Sequence, residues 1–465
     1  MNRHLLGFLL VVLPGMASAQ LSVQVDSVVN GLTEAYNAAG YPKLYNMLST
    51  GFRNNVSEAS ITAFFSQNMR APLGRIVSWR SLHRQNDQFF YKARFEHGIR
   101  SLVISLDRER KITYMMWKPL NNAGKIYTNN PQDKPYLKTA DSLVRDFMSF
   151  AGNSAMAIAL VNDSRCDTLY YGSPVRNQAT HVNPETLFEI GSISKTFTGA
   201  VLAAALRSGK ISLDEDIRKY LPGKFPGLEF NGKPITVRQL ASHRSGLPRM
   251  PANFESQAGY SRSDPYRSYS RTALLNYLSD LKPDTLPGVR ELYSNLGIAI
   301  LGLVLESAMK MPVDEQIRTV VLSPLGMQHT TFDANQARGT KAVGYNGQTG
   351  AATSMWTMND FNAAGGLKSN LPDMVSYVKE NLKPRLAVSR LAQQRIAGSG
   401  LRGSGLCWII DGRHDLVWHN GGTAGFSSYL GFKPGSGRGV VVLSNSDTNV
   451  DDLANRLLAL IPEHH

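Results

Sequence analysis

Cysteine is scarce in this sequence, since the 465 residues contain only Cys166 and Cys407. No Cys-x-x-Cys pair and no His-Glu-x-x-His segment occurs, so the ligand spacings of the common zinc sites are absent. We therefore expect neither a catalytic metal nor a cofactor. Both cysteines lie in apolar segments with a strand-like pattern, which favours unpaired, buried thiols, although an oxidising compartment would permit a disulfide between them.

Apolar runs long enough to cross a membrane are missing as well. The run at residues 5–13 is too short for a membrane span. It follows Arg3 and ends before the small-residue segment 17–19, an order typical of a secretory signal peptide. We predict a signal peptide at residues 1–19, with an uncleaved anchor as the alternative. The mature chain is then expected in the periplasm or outside the cell, without a membrane span.

Acidic residues are fewer than basic ones, 36 against 50, which gives a formal net charge of +14. The basic residues are scattered along the chain rather than collected into runs, so the pattern of a nucleic-acid-binding segment is absent. We predict no nucleic-acid partner. A solvated basic surface is the simpler interpretation, and such a surface would suit anionic envelope polymers.

The length and the apolar content of 42% allow a large core and two or three domains. Residues 20–118 begin with helical apolar spacing at 21–36 and 57–69, and then change to alternating or apolar segments. These four segments predict an antiparallel meander, at 75–83, 88–96, 99–106 and 112–117. We therefore predict a small α+β domain, followed by a turn-rich linker at 119–136 that contains several Asn and Pro residues.

This order of elements resembles the cone-shaped domains of the nuclear transport factor 2 and ketosteroid isomerase type. The resemblance rests on the order of the elements and not on a motif. No acidic residue stands out as a catalytic base, so the resemblance implies a module for binding or spacing rather than for catalysis.

Residues 137–465 are predicted to form one larger α/β domain. A helix at 137–150 leads to a strand hairpin at 156–161 and 166–171. Most of 213–327 is helical or irregular, and strands return near the C terminus, at 406–410, 415–419, 426–433 and 439–444. An amphipathic helix at 449–460 closes the chain. Because strands lie at both ends of the domain, we predict an antiparallel sheet flanked by helices, with a helical subdomain between.

Ser192 and Lys195 lie at the head of a segment with helical apolar spacing that ends at Gly209. Residues three apart on a helix are neighbours, so the lysine is predicted beside the hydroxyl. The helix N-terminus would favour an oxyanion and, together with burial, would disfavour the charged lysine. This pattern predicts a nucleophilic serine with a lysine base. The same Ser-x-x-Lys spacing recurs at 279–282, 307–310 and 376–379. None of these copies follows a glycine at a helix start.

Tyr293 and Asn295 precede a segment at 296–305 that is apolar nearly all round, which predicts a buried helix with a fixed start. One interpretation makes Ser294 or Asn295 only the N-cap of that helix. The other gives Tyr293 the role of a proton relay and lets the Asn295 amide bind the substrate. The same Tyr-x-Asn spacing also occurs at 127–129, within the predicted linker.

His419, Gly421 and Gly422 belong to a predicted strand, and no other His-x-Gly segment occurs in the chain. A strand histidine followed by a glycine bulge would explain these residues without any function. Alternatively, the glycines let a substrate approach the strand backbone. In that case the Gly422 N–H is predicted to join that of Ser192 in binding an oxyanion.

In this order, the three segments resemble the motifs of the penicillin-recognising serine hydrolases of the class C β-lactamase and penicillin-binding-protein type. Supporting stretches lie at 235–240, 243–248, 324–327 and 363–367, and the resemblance covers the chain from about 137 onward. It implies a β-lactamase/transpeptidase-like fold with the site where the sheet meets the helical subdomain. It also implies that Ser192 is acylated and that Lys195 and Tyr293 move its proton. The residues implied to bind the substrate are Asn295, His419, Gly421 and Gly422. For His243, a landmark of the family, we favour a structural role.

One segment departs from the family pattern. His419 and Asn420 stand where true β-lactamases commonly carry lysine and threonine, and a mostly neutral imidazole attracts a carboxylate less than an ammonium does. The resemblance therefore leaves three substrate classes open for an exported serine acyl hydrolase, namely a β-lactam, a D-alanyl peptide derived from peptidoglycan, and an ester. The competing hypothesis is a non-catalytic ligand-binding protein on the same fold.

Overall fold

A computed structural model of the chain describes residues 14–85, 87–119, 126–150, 154–162, 165–337, 339–347 and 349–463. The first thirteen residues of the predicted signal peptide lie outside the described residues, as does the segment 120–125 of the predicted linker. The chain divides into two units, Met1–Ala123 and Gly124–His465. Each unit is described by itself below.

The helices of the first unit differ from the prediction mainly at their ends. The first helix begins at Pro14, before the predicted start at residue 21, and it runs through the predicted cleavage site. The second predicted helix is divided, because a π-helical segment at Phe64–Arg70 interrupts it. The unit contains α1 (Pro14–Asn37), α2 (Tyr41–Asn46), α3 (Thr50–Arg53), α4 (Glu58–Ala63) and α5 (Ala71–Leu73).

The four predicted strands of the first unit form one antiparallel sheet in sequence order, which confirms the meander. The strands are β1 (Ile76–Gln85), β2 (Gln88–Phe95), β3 (Gly98–Leu106) and β4 (Ile112–Pro119). One face packs on α1 through aromatic rings, among them Tyr36 and Phe95, whose centroids lie 5.8 Å apart. The small α+β domain is therefore present, while its likeness to nuclear transport factor 2 stays a prediction.

The second unit places most of its helices between the two groups of strands. Its helices are α6 (Pro135–Phe150), α7 (Ser194–Arg207), α8 (Val237–Ala241), α9 (Arg271–Asp280), α10 (Asn295–Met309), α11 (Val313–Ile317), α12 (Asn362–Gly365), α13 (Leu371–Leu382), α14 (Ala387–Ala392) and α15 (Asp451–Leu460). Before α6, part of the predicted linker is bonded into this unit, since the Asn130 amide donates to Tyr171 Oη at 2.9 Å.

The strands of the second unit are β5 (Ala155–Asn162), β6 (Arg165–Gly172), β7 (Phe188–Glu189), β8 (Glu229–Phe230), β9 (Lys233–Pro234), β10 (Gly344–Tyr345), β11 (Ala352–Thr353), β12 (Lys368–Ser369), β13 (Arg402–Ser404), β14 (Ile409–Asp411), β15 (Leu416–Gly422), β16 (Ser427–Lys433) and β17 (Arg438–Ser444). Seven of them form an antiparallel sheet in the order β13-β14-β15-β16-β17-β5-β6. The sheet built from both ends of the domain is thereby confirmed.

Alternation along the central strands gives this sheet two buried faces. On β17, Val441 and Leu443 belong to the large core that contains α7 and α10, whereas Val440 and Val442 face a second core with α6 and α15. Successive strand residues point to opposite faces, so the apolar run of β17 requires cover on both sides. The helical subdomain therefore packs on one face of the sheet, and the terminal helices pack on the other.

Two expectations about the cysteines are corrected. The strand predicted at 406–410 begins only at Ile409, because Cys407 has a φ of 60° and lies in a bend. A left-handed residue of this kind breaks the pairing of an extended strand. Cys407 is buried, but Cys166 is only partly buried, and both are free thiols.

Among the described residues, no single helix is long and apolar enough to cross a membrane. One bent helix pair, Asn295–Met309 with Val313–Leu322, passes the test of length and composition.

Candidate active site

The turn that carries Ser192 is tighter than predicted. Residues Gly191–Ile193 form a 3-10 turn, and α7 begins only at Ser194. Gly191 has a φ of +48°, and a Cβ there would lie 2.8 Å from the backbone nitrogen of Gly422. Glycine is therefore required at this position, both for the backbone conformation and for the close approach of β15. Ser192 stays partly exposed at the head of a helix whose first turns are buried.

Lys195 lies directly beneath the nucleophile candidate. Its Nζ is 2.8 Å from Ser192 Oγ and also donates to the Ala364 carbonyl. The side chain is 0% exposed, and burial holds the pKa of its ammonium well below the usual range. A positive charge on Arg249 acts in the same direction. A lowered pKa favours the unprotonated amine, and an unprotonated amine at hydrogen-bond distance from a hydroxyl is able to accept its proton.

Tyr293 completes the contacts of the Ser192 hydroxyl. Its own hydroxyl donates to Ser192 Oγ at 2.6 Å, and burial raises the pKa of the phenol. Lys195 Nζ lies 4.9 Å from the centroid of the phenol ring. One hydroxyl thus contacts an amine whose pKa is lowered and a phenol whose pKa is raised, which is the arrangement that a nucleophile with a proton relay needs.

His243 holds Tyr293 in place. The two rings lie 4.5 Å apart at an interplanar angle of 35°, and His243 Nδ1 accepts from the Ser294 backbone nitrogen at 3.2 Å. The carbonyl of His243 accepts from the Leu292 nitrogen at 2.7 Å. Burial keeps the pKa of the imidazole well below its ordinary value, so the ring is neutral. His243 therefore acts through Tyr293 as a positioning residue, in line with the structural role that the sequence favoured.

The start of α10 separates the two interpretations of Ser294 and Asn295. Ser294 is the N-cap, since its hydroxyl accepts from the Gly297 nitrogen at 2.8 Å. Asn295 is therefore free of capping, and its Nδ2 donates to Tyr266 Oη at 3.3 Å. Its Oδ1 is buried and has no hydrogen-bond partner among the described residues. An amide held on one side and unpartnered on the other is suited to bind a polar group of a substrate.

The strand β15 brings Gly421 and Gly422 beside the Ser192 turn. A Cβ on Gly421 would lie 2.0 Å from the carbonyl oxygen of Ile190, so strand and turn meet backbone to backbone. A Cβ on Gly422, in contrast, would meet nothing within 4 Å. The Gly422 nitrogen thus lies next to the nucleophile turn, and the space on the Cβ side of this residue is open. This is the place where a second oxyanion donor is expected.

His419 joins the same wall as a neutral, buried residue. It is 1% exposed, and burial lowers its pKa to about 3. Its Nδ1 lies 2.6 Å from the Asn420 carbonyl oxygen, so Nδ1 carries the proton and Nε2 is an acceptor. The ring centroid is 6.4 Å from that of Tyr293. Asn420 points elsewhere, since its amide donates to Asp451 Oδ2 at 2.7 Å.

Sequence reasoning missed two buried ionisable residues near the Ser192 turn. Glu189 and Lys368 are opposite each other in the antiparallel register of β7 and β12, and each is at most 3% exposed. Glu189 accepts from Thr423 Oγ1 at 2.7 Å, and burial raises its pKa to about 7. The carboxyl therefore ties the strand before Ser192 to the end of β15.

A cavity of about 520 Å³ is lined by Lys368 and Trp356 but by none of the predicted site residues.

Sequence reasoning also missed two groups in the site itself. The Ala364 carbonyl binds Lys195, whereas the sequence marks the stretch 363–367 only as a supporting match to the family. Arg249 lies over the Tyr293 ring at 5.0 Å, and only tertiary contact reveals it. Within the described ranges, no group of three or more His, Cys, Asp or Glu side chains is arranged to hold a metal ion.

The chain is similar to proteins of one known family. The family model "Beta-lactamase" matches residues 140–462. A β-lactamase of Pseudomonas fluorescens is 25% identical over 67% of this chain and 93% of its own length. A β-lactamase of Escherichia coli K12 is 28% identical over 63% of this chain and 84% of its own length.

Two solved structures share the fold. A class C β-lactamase superposes with a TM-score of 0.60 at 24% identity, over 71% of this chain and 97% of its own. The octameric penicillin-binding protein homologue from Pyrococcus abyssi gives a TM-score of 0.61 at 24% identity, over 70% of this chain and 77% of its own. The predicted fold of the larger domain is therefore confirmed.

Proposed function

The chain belongs to the beta-lactamase family, and from this premise we propose that it is an exported serine acyl hydrolase that forms an acyl-enzyme on Ser192. The observation that supports this proposal most directly is the double contact of one hydroxyl. Ser192 Oγ lies 2.8 Å from Lys195 Nζ and 2.6 Å from Tyr293 Oη. A structural serine has no need of a desolvated amine beside it, whereas a nucleophile does.

In the acylation step, Ser192 Oγ attacks the carbonyl carbon of the substrate. Of the two groups that contact Ser192 Oγ, Lys195 is the better proton acceptor. Burial lowers the pKa of its amine, which favours the form with a free lone pair, and raises the pKa of the Tyr293 phenol, which therefore keeps its proton. The proton then passes through the Tyr293 hydroxyl to the leaving group as its bond to the carbonyl breaks. The two residues thus share the proton transfer, with the lysine as base and the tyrosine as relay.

The negative charge that develops on the carbonyl oxygen needs donors in place before the reaction. We assign this role to the backbone N–H groups of Ser192 and Gly422. The approach of β15 to the turn supports the assignment, since the Gly422 nitrogen lies beside Gly191. The start of α7 adds a favourable partial positive charge. In the second half-reaction, water attacks the acyl-enzyme and the same groups move protons in reverse order.

The state of His419 favours substrates that need no cation on the β15 wall. An imidazole with a pKa of about 3 is neutral in any ordinary medium, and Asn420 is committed to Asp451. A carboxylate of a β-lactam or of a D-alanyl peptide would find no positive charge there. Among the three substrate classes, we therefore place esters and amides without a carboxylate on that side first.

Active-site labelling tests the proposal. The protein is incubated with a fluorophosphonate probe and with a fluorescent penicillin, and the adduct is located by peptide mass spectrometry. We expect a fluorophosphonate adduct on Ser192, which Ser192→Ala abolishes without a change in melting temperature. Labelling at another residue, or none with either probe, would contradict the proposal.

Turnover measurements then rank the substrates. Wild type and Ser192→Ala are compared on a p-nitrophenyl ester, a chromogenic cephalosporin and a D-Ala-D-Ala peptide. We expect the ester to give the highest kcat/KM and the serine variant to lose it. The competing interpretation, a non-catalytic binding protein, predicts ligand binding with no turnover and no effect of Ser192→Ala.

A further inference from the structure

Arg249, beside the start of α10, carries the positive charge that His419 lacks. Arg249 is exposed, and its guanidinium carbon lies 5.0 Å from the centroid of the Tyr293 ring. Burial lowers the pKa of Lys195 and of His243, whereas an arginine stays protonated at any pH that a protein tolerates. Among the described side chains that contact the Ser192 hydroxyl or the Tyr293 ring, Arg249 is thus the permanent cation.

The backbone fixes where this cation stands. The carbonyl oxygen of Arg249 accepts from the nitrogens of Asn295 and Leu296 at 3.0 and 3.2 Å. The residue before it, Pro248, accepts from the Ser294 hydroxyl at 2.6 Å. The base of the arginine is therefore anchored to the first turn of α10, next to the Asn295 amide. Its guanidinium lies one phenol ring away from the nucleophile.

No group of the protein neutralises this guanidinium within the described residues. The ion pairs formed there by other arginines do not include Arg249, and its side chain makes no hydrogen bond. The residue remains accessible to solvent, and Asn295 Oδ1, on the residue whose backbone nitrogen binds the Arg249 carbonyl, has no hydrogen-bond partner among the described residues. Unsatisfied donor and acceptor groups of this kind, held on a rigid element, are typical of a recognition site.

We propose that Arg249 binds an anionic group on the acyl part of the substrate, so that the preferred acyl chain ends in a carboxylate. The inference rests on the proposed function, and it names the substrate class of that same site. We choose the acyl side because of the role proposed for Tyr293. Its hydroxyl, which donates to Ser192 Oγ, passes the proton to the leaving group in the proposed mechanism. Arg249 instead lies over the face of the ring, and its carbonyl is bonded to the backbone nitrogen of Asn295, the residue proposed to bind the substrate. A carboxylate a few carbons from the scissile carbonyl would meet the guanidinium.

Matched esters test the inference in turnover. The p-nitrophenyl monoester of glutarate is compared with p-nitrophenyl pentanoate, which has the same chain without the carboxylate. A third ester, acetylated 4-hydroxybenzoate, carries its carboxylate on the leaving group. We expect wild type to prefer the glutarate ester, and Arg249→Gln to lower the ratio of kcat/KM for glutarate over pentanoate by about fivefold or more. Arg249→Lys should recover part of this ratio.

Arg207→Gln is the matched control. It also removes one arginine charge, but from the C-terminal end of α7, whereas Ser192 lies just before the N-terminal end of that helix. The fourteen-residue helix separates the two ends by roughly 20 Å, so this variant should keep the wild-type ratio. An unchanged ratio in Arg249→Gln, an equal loss on both acyl esters, or a dependence seen only with the leaving-group carboxylate would overturn the inference.

A binding measurement separates this inference from the proposed function. In the Ser192→Ala background, calorimetry follows the anilides of glutarate and of pentanoate, which need no turnover. We expect the charged anilide to bind more tightly, and the addition of Arg249→Gln to weaken it by about fivefold or more. This result would support the anion site even if wild type hydrolysed no ester. Equal binding of the two anilides would overturn it even if hydrolysis were rapid.

Discussion

The hydroxyl of Tyr293 donates to Ser192 Oγ at 2.6 Å, although 101 residues separate the two in sequence. The contact joins the start of α10 to the turn before α7, and both helices are buried in the same core. Because neither helix can shift without opening that core, the distance between phenol and nucleophile is set by packing.

Replacement of Lys195 by an arginine or a glutamine should abolish most acylation. Arginine stays protonated and glutamine has no basic nitrogen, so neither accepts the Ser192 proton. We expect the rate of labelling by a fluorophosphonate to fall by about 10² to 10⁴-fold in both variants. Stopped-flow labelling measures the rate, and circular dichroism checks that the variants are folded. Labelling at the wild-type rate in Lys195→Gln would exclude the lysine as the base.

Gly421 and Gly422 should respond differently to the same substitution. Gly421→Ala places a Cβ 2.0 Å from the Ile190 carbonyl oxygen, so strand and turn must separate. We expect a loss of about 1 to 3 kcal/mol in the free energy of unfolding, with lower activity. Gly422→Ala meets open space and should leave stability within about 0.5 kcal/mol. Denaturant unfolding compares the two, and equal stability losses would contradict this packing.

The acid limb of the pH profile should report Lys195 and not His419. The pKa of the lysine is lowered by burial and by Arg249, while His419 titrates at about 3. Removal of the guanidinium in Arg249→Gln should therefore move the acid limb of kcat/KM for a neutral ester to higher pH. Arg207→Gln serves again as the control and should leave the limb in place. A shift toward lower pH in Arg249→Gln would contradict the assignment.

Glu189→Gln should change how stability depends on pH. The folded pKa of Glu189 is raised to about 7 from 4.5, so the folded state binds its proton more tightly than the unfolded state does. Stability from this group is full below about 4.5 and is lost as pH rises toward about 7. We expect the glutamine variant to gain stability relative to wild type over that range, by up to about 3 kcal/mol. Urea unfolding at pH 5 and pH 8 measures the difference, and a relative loss at pH 8 would refute the sign.

Local patterns were sufficient for many elements of the fold. The antiparallel meander of the first unit and the returning strands of the second followed from alternation of apolar residues. The errors arose where the local backbone conformation overrides the pattern. Cys407 adopts a left-handed conformation inside an apolar run, and the π-helical segment at Phe64–Arg70 interrupts a regular helical spacing. Neither feature changes the period of the apolar residues, so no periodicity argument detects it.

The sequence by itself determined which residues stand ready for the chemistry. A serine and a lysine three apart meet on any helical turn, and a glycine before them permits the sharp entry, because short-range geometry depends on the backbone alone. Tertiary structure decided the rest. Burial lowers the pKa of Lys195 and of His419. Contacts between distant segments pack His243 against Tyr293 and position Arg249 over the Tyr293 ring. Desolvation and packing are properties of the assembled core.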